Sequence, residues 1–109
     1  MKSDQEVRDL KQYLDKNYRK QIRIGEICTQ RYTSGQYICR RFKEVTGLSP
    51  KQYLMQLRLR RAAEKLLKSS ESVHIIAFSC GFSDINNFCK QFRAVYGCTP
   101  SQYRDNTAE

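Results

Sequence analysis

A chain of 109 residues can close one hydrophobic core, or two small ones that share an element, but not two independent domains of ordinary size. Twenty Lys and Arg against eleven Asp and Glu leave a formal charge of +9 and a pI near 9.5, which points to a polyanionic partner, either nucleic acid or an acidic membrane. The longest apolar run is the short stretch around Ile75 to Phe78, and neither a signal peptide nor a lipidation motif is present, so the expectation is a cytoplasmic protein without a membrane partner. The five cysteines, Cys28, Cys39, Cys80, Cys89 and Cys98, are odd in number, form no CxxC pair and have only His74 as an imidazole partner. That pattern argues against a disulfide framework and a zinc site, and leaves the cysteines as small buried hydrophobes. With one His, no nucleophile-base motif and no metal-ligand spacing, the chain reads as no enzyme and needs no cofactor or metal.

Asp4 to Tyr18 carries Val7, Leu10, Leu14 and Tyr18 at helical spacing, which predicts a scaffold helix. Ile24, Ile27 and Cys28 follow as a short apolar face, then Tyr32 to Ser34 as a turn, with Ser34 the N-cap of a helix from Gly35 to about Thr46. At about 100° per residue, Ile38, Phe42 and Val45 cluster on its inner side, and Gln36, Arg40 and Lys43 on its outer side, with Cys39 at the margin. Gly47 supplies a positive-φ stop, Ser49 a second cap and Pro50 the first position of the next helix.

That helix runs to Lys68 with apolar groups on two sides. Tyr53, Leu54 and Leu57 form one flank, and Met55, Leu59, Ala62, Ala63 and Leu66 lie roughly opposite, as suits a connector whose early turns feed one core and whose later turns feed another. Arg58, Arg61 and Lys65 fall on a polar strip between the flanks, open either to backbone phosphate or to water. Val73, Ile76 and Ala77 then restart the earlier grammar, with a turn at Gly81 and Phe82 and either Ser83 or Asp84 as cap. The helix that follows, to about Tyr96, points Ile85, Phe88, Phe92 and Val95 inward and Asn86, Lys90 and Arg93 outward. Gly97, Thr99 and Pro100 close it, and the polar residues after Tyr103 are expected to fray.

The two halves are copies. An offset of fifty superimposes Ile38 on Phe88, Cys39 on Cys89, Arg40 on Lys90, Phe42 on Phe92, Gly47 on Gly97, Pro50 on Pro100 and Tyr53 on Tyr103. Upstream the offset falls to forty-nine, so that Ile24, Ile27 and Cys28 meet Val73, Ile76 and Ala77, and the second copy holds one extra residue in its turn near Ser83 and Asp84. Two copies are too few for a solenoid and describe a duplicated supersecondary unit. A small residue at Cys28 or Ala77 suits a close crossing of two helices.

Charge is unevenly shared between the copies: residues 1 to 35 carry +3, residues 36 to 68 carry +7, and residues 69 to 109 carry −1. Two equivalent helices each expose an amide near the N-terminal end and cations one and two turns later. Such groups suit base edges, since Asn or Gln binds adenine bidentately and Arg or Lys binds guanine. The competing reading is a helical protein-interaction module that has lost specific DNA binding. Cys39 and Cys89 lie near these outer faces, where a redox role would show as sensitivity of binding to alkylation.

The segment IIAFSCGFSDINNFCKQFRAVYGCTPSQYR, from Ile75 to Arg104, together with CRRFKEVTGLSPKQYL and LRLRRAAEKLL, resembles the DNA-binding domain of the AraC/XylS family of bacterial transcription regulators. The resemblance covers about Val7 to Arg104. It implies an all-α domain of seven helices, with a helix-turn-helix subdomain over 4–48, a linker helix over 49–68, a second helix-turn-helix subdomain over 69–105 and a polar tail over 106–109. It further implies sequence-specific binding of double-stranded DNA by two recognition helices in successive major grooves, activation of transcription through RNA polymerase, and a monomeric isolated domain. Carried over by motif position, the DNA face is Gln36, Tyr37, Cys39, Arg40 and Lys43 in the first copy, and Ile85, Asn86, Cys89, Lys90 and Arg93 in the second.

Two departures stand out. The family usually has Gly where this chain has Tyr32, which implies a strained or differently shaped first turn. The second reading face is less cationic, which implies a smaller share of the affinity. The family also commonly adds a ligand-binding or dimerisation domain, for which these 109 residues leave no room.

Overall fold

The computed structural model describes residues 2–32 and 34–107, and every regular element among them is an α-helix. In chain order these are α1 (Lys2–Asn17), α2 (Ile24–Arg31), α3 (Gly35–Thr46), α4 (Pro50–Lys68), α5 (Val73–Ser79), α6 (Ile85–Tyr96) and α7 (Pro100–Thr107). The chain divides into two compact units after Gln56, inside α4, as expected of a helix with two apolar flanks. No helix among the described residues is long and apolar enough to cross a membrane.

In the first unit, Val7, Leu10 and Leu14 of α1 are buried, as is Tyr18 just past its end, so the expected scaffold stripe is an inward face. It packs on α3, which also packs on α2. Cys28 is buried at the α2–α3 crossing, where a Cβ on Gly35 would stand at ordinary contact distance, 3.5 Å, from the Cys28 Cβ. Leu54, from the first turns of α4, is buried as well, and the Tyr53 ring meets Phe42 edge-on at 5.6 Å while its hydroxyl donates to Asp15. Two cross-helix ion pairs, Arg41 to Asp4 at 2.8 Å and Arg31 to Asp9 at 3.0 Å, tie α1 to the other helices.

The second unit uses the later turns of α4 as its scaffold, with Leu57, Leu59, Ala62, Ala63 and Leu66 buried. Leu57, although on the same flank as Leu54, thus falls in the second unit. An aromatic run fills this core: Phe82 meets Phe88 at 4.8 Å, Phe88 meets Phe92 at 5.7 Å, and Phe92 stacks on Tyr96 at 4.5 Å and meets Tyr103 edge-on at 5.4 Å. Such pairs contribute about 0.5 to 1.5 kcal/mol each beyond area burial. The Phe42–Tyr53 contact recurs here as Phe92–Tyr103, so the duplication extends to packing.

The helix starts and stops repeat too. Ser49 and Gln52 exchange hydrogen bonds at 3.0 and 3.2 Å ahead of α4, and Thr99 and Gln102 do the same at 3.0 and 3.1 Å ahead of α7, each a reciprocal capping box. Gly47 and Gly97 end α3 and α6 at φ of +83° and +78°, a conformation that a side chain would strain. α7 continues to Thr107, past the expected fraying point at Tyr103. The Arg104 guanidinium explains this by donating to the carbonyls of Leu66 at 2.9 Å and Ser69 at 3.1 Å. The last two residues of the expected polar tail lie outside the described residues, as does Thr33 in the first turn.

Val45 and Val95 correct the helical-wheel reading. They were placed inward, yet they are 50% and 54% exposed, while Ile38, Phe42, Phe88 and Phe92 are fully buried. Angle alone does not bury a side chain. Phe88→Ala is therefore expected to cost about 3 to 5 kcal/mol, and Val95→Ala to stay within about 0.5 kcal/mol. Urea denaturation followed by helical circular dichroism checks this, and equal losses would show Val95 to be a core residue.

Candidate nucleic-acid interface

Each candidate reading helix is set by a cap and two buried anchors. Ser34 caps α3 by accepting from the Tyr37 amide at 3.2 Å, and Ile38 and Phe42, one turn apart, fix its rotation. Gln36, Tyr37, Arg40 and Lys43 are consequently exposed, and Cys39 is half-buried at the edge of the face. The Arg40 guanidinium lies over the Tyr37 ring at 5.8 Å, which restrains a long side chain before any ligand arrives.

α6 repeats the arrangement with different chemistry. Asp84, rather than Ser83, is the cap and accepts from the Asn86 amide at 2.9 Å. Phe88 and Phe92 are the anchors, Asn86, Lys90 and Arg93 are exposed, and Ile85 and Cys89 are half-buried. A shallow hollow of about 500 Å³ is lined by Cys89, Lys90, Arg93, Ala94 and Thr99. The structure thus brings each predicted set of five onto one helix, with an amide and two cations outward in both copies.

The polar strip of α4 is neither fully solvated nor free for phosphate. Arg61 pairs with Glu64 at 3.3 Å, the Lys65 Nζ donates to the Ser79 hydroxyl at 3.1 Å, and Arg58 is half-buried, which lowers its pKa. Arg60, beside this strip, is exposed, as are Lys51 and Lys68 at the two ends of α4. Arg60 was not singled out from the sequence, because a wheel drawn through both flanks of α4 does not rank its cations by exposure.

At Tyr32 the first turn is differently shaped, not strained. Tyr32 matches Gly81 at an offset of forty-nine, and Gly81 adopts a φ of +101°, whereas Tyr32 is extended with φ −130° and ψ 154°. A side chain replaces the glycine's backbone freedom: the Tyr32 hydroxyl donates to the Asp9 carboxylate at 2.8 Å and holds the turn to α1. That bond first, and Arg31 second, keep the Asp9 carboxyl below the usual carboxylate range, while burial and then the Asp9 bond push Tyr32 up to about 12. The turn between helices is three residues in the first copy and five in the second, since α5 stops one residue early and one residue is inserted.

One contact had no signal in the sequence. The Cys28 and Cys39 sulfurs are 3.7 Å apart across the α2–α3 crossing. Eleven residues separate them, and only the packing of the two helices brings them together.

Comparison with known proteins places these features in context. A family model described as "Helix-turn-helix domain" matches residues 27–106. The HTH-type transcriptional activator RhaR of Mannheimia succiniciproducens is 38% identical over 91 residues, covering 84% of this chain and 33% of that protein. RhaS of Pectobacterium atrosepticum, also an HTH-type transcriptional activator, is 36% identical over 100 residues, covering 92% of this chain and 36% of that protein. The chain spans about a third of the length of these curated relatives. Among solved structures, the C-terminal domain of AraT, a response regulator from Geobacillus stearothermophilus, superimposes with a TM-score of 0.89 at 28% identity, covering 94% of this chain and 86% of that one. The DNA-binding domain of AdpA, a global transcriptional factor solved with a target DNA, gives 0.86 at 27% identity over 92% of this chain and 90% of that one.

The Tyr32–Asp9 bond yields a test with a pH signature. Tyr32→Phe is expected to destabilise the first unit by about 1 kcal/mol at neutral pH, the low end for a bond to a charged group because Asp9 is partly exposed. Asp9 has a lowered folded-state pKa, so its contribution is present above the unfolded value of about 3.9 and is lost as pH falls through the folded value. Denaturation of both proteins at neutral pH and at about pH 2 should show the gap closing, and a gap independent of pH would assign it to packing.

Proposed function

This chain belongs to the AraC/XylS-type helix-turn-helix family, and from that premise we propose that it binds double-stranded DNA in a sequence-specific manner, with α3 and α6 each reading a major groove of one duplex. The observation that carries the proposal is the repeated surface. In both copies two buried anchors turn an amide and two cations outward, at Gln36, Arg40 and Lys43 and at Asn86, Lys90 and Arg93. Gln36 and Asn86 are suited to adenine, Arg40 and Lys90 to guanine, and Lys43 and Arg93 to base or phosphate. Tyr37 and Ile85 supply apolar contact at the N-terminal ends, where a thymine methyl would meet them, and Cys39 and Cys89 line the inner edge of each face.

The relatives named as transcriptional activators support a role in activating transcription. We further propose that this chain acts at promoter sites in the cytoplasm through contact with RNA polymerase, and that the isolated domain is a monomer. The AdpA domain was solved on DNA at 27% identity, which supports the same ligand class for this chain.

The two faces contribute unequally. The first has a neutral Ser cap and a cation stacked on Tyr37, whereas the second starts at the Asp84 carboxylate, which counters the attraction of its helix N-terminus for phosphate. Selection from a random duplex library identifies the site. Binding to that site should weaken steeply with salt. Arg40→Ala should cost roughly 1 to 3 kcal/mol and relax preference at particular base pairs, with a smaller loss for Lys90→Ala. Equal losses would remove the asymmetry. Negligible binding to any duplex at low salt, despite the charge of +9, would favour the protein-interaction reading instead.

A further inference from the structure

We infer that Cys28 and Cys39 are a dithiol that peroxide closes to a disulfide, and that this closure weakens the hold of α3 on DNA. The sulfurs are 3.7 Å apart, and a disulfide needs about 2.05 Å, so bonding requires them to close by roughly 1.6 Å. The two side chains already face each other across the α2–α3 crossing.

The environment assigns the order of steps. Cys28 is fully buried, and burial first and the S–H···S contact with Cys39 second push its thiol up to about 12, so it keeps its proton. Cys39 is half-buried at the edge of the outer face and is the sulfur that meets oxidant. Its thiolate attacks one oxygen of hydrogen peroxide, the O–O bond breaks, and the departing hydroxide takes a proton to become water, leaving a sulfenic acid. The Cys28 sulfur then attacks the Cys39 sulfur, the S–O bond breaks, and hydroxide leaves with the Cys28 proton as a second water. Two thiols are oxidised to one disulfide and one peroxide is reduced to two waters.

The duplication supplies an internal control. Cys89 occupies the place of Cys39 in the second copy, but Ala77 stands where Cys28 would be, so the equivalent pair of positions holds one cysteine. The same comparison shows that the crossing accepts alanine, which makes Cys28→Ala a conservative variant.

The effect on DNA follows from where Cys39 sits. It is flanked on α3 by Gln36 one turn before and Lys43 one turn after, and base-reading side chains tolerate only about 0.5 Å of displacement. Drawing the two sulfurs together by the roughly 1.6 Å that the bond requires shifts α3 against α2, by rotation, sliding or closure of the space a Cβ on Gly35 would fill at ordinary contact distance from Cys28. This second half rests on the DNA-binding reading above.

The test has two arms. The full chain is treated with hydrogen peroxide, remaining thiols are blocked with N-ethylmaleimide, and tryptic peptides are mapped by mass spectrometry. A Cys28–Cys39 linked peptide is expected from the parent chain and from Cys89→Ser, and none from Cys39→Ser. A parent chain in which Cys39 is over-oxidised, or linked elsewhere, overturns the dithiol. In the second arm, a duplex selected from the random library by the reduced protein is titrated before and after peroxide. Affinity should fall at least about tenfold, return with dithiothreitol, and be unaffected by peroxide in Cys28→Ala. A linked protein that binds as tightly as the reduced one overturns the effect on DNA. If the reduced protein selects no duplex, the DNA-binding reading fails, while the peptide map still decides the dithiol.

Discussion

The outward surface of this chain depends on the burial of two side chains one turn apart on each reading helix. Ile38 and Phe42 on α3, and Phe88 and Phe92 on α6, are fully buried. A helix pinned at i and i+4 cannot roll without exposing one of them, at a cost of about 1.5 to 3 kcal/mol per side chain. The rotation being set, positions two before and two after the first anchor must face away from the core. The placement of Gln36 and Arg40, and of Asn86 and Lys90, is thus a consequence of apolar packing and not of any polar contact that they make.

The two copies reach this common result by different chemistry. The first anchors its helices with polar contacts, Asp4 to Arg41, Asp9 to both Arg31 and Tyr32, and Asp15 to Tyr53. The second relies on the ring contacts running from Phe82 through Phe88 and Phe92 to Tyr96 and Tyr103. Ring packing responds little to pH or salt, whereas partly exposed carboxylate contacts are screened by salt and lost on protonation. α4 serves in both arrangements: its first turns provide Tyr53 and Leu54, the counterparts of the α7 residues after Pro100, and its later turns provide a scaffold face in the role that α1 plays earlier in the chain.

Most of this organisation is legible in the sequence because it is carried by local rules. Ser34, Gly47, Ser49 and Pro50 mark ends whose geometry depends on a few neighbouring residues, and their recurrence fifty positions on makes each mark self-checking. Two kinds of feature were not legible. Burial in a last helical turn depends on whether another element covers it, which a helical wheel does not carry, and Val45 and Val95 are exposed although the wheel turns them inward. Side-chain bonds between distant segments, such as Tyr32 to Asp9, Arg104 to the Leu66 carbonyl and the Cys28–Cys39 contact, depend on how helices cross and leave no periodic trace. Tyr32 shows both sides of this. The missing glycine is visible in the sequence, but the extended backbone and hydroxyl anchor that replace it are not.

The caps carry the difference between the copies to the reading faces. A helix N-terminus has about half a positive charge, and a neutral Ser34 leaves that charge available to a nearby phosphate. Asp84 accepts instead from the amide two residues on, that of Asn86, at 2.9 Å, with a full negative charge at the same end. The carboxylate stabilises α6 as a helix, yet it offsets the attraction that the helix end and Lys90 would exert on a polyanion. What remains at α6 is an amide, an apolar flank at Ile85 and two cations further along the helix. Such a surface discriminates between bases more than it attracts the backbone, whereas α3 combines both. On the proposed DNA-binding reading, a duplication that keeps the packing anchors while exchanging Ser for Asp at one cap would separate affinity from selectivity without altering the fold.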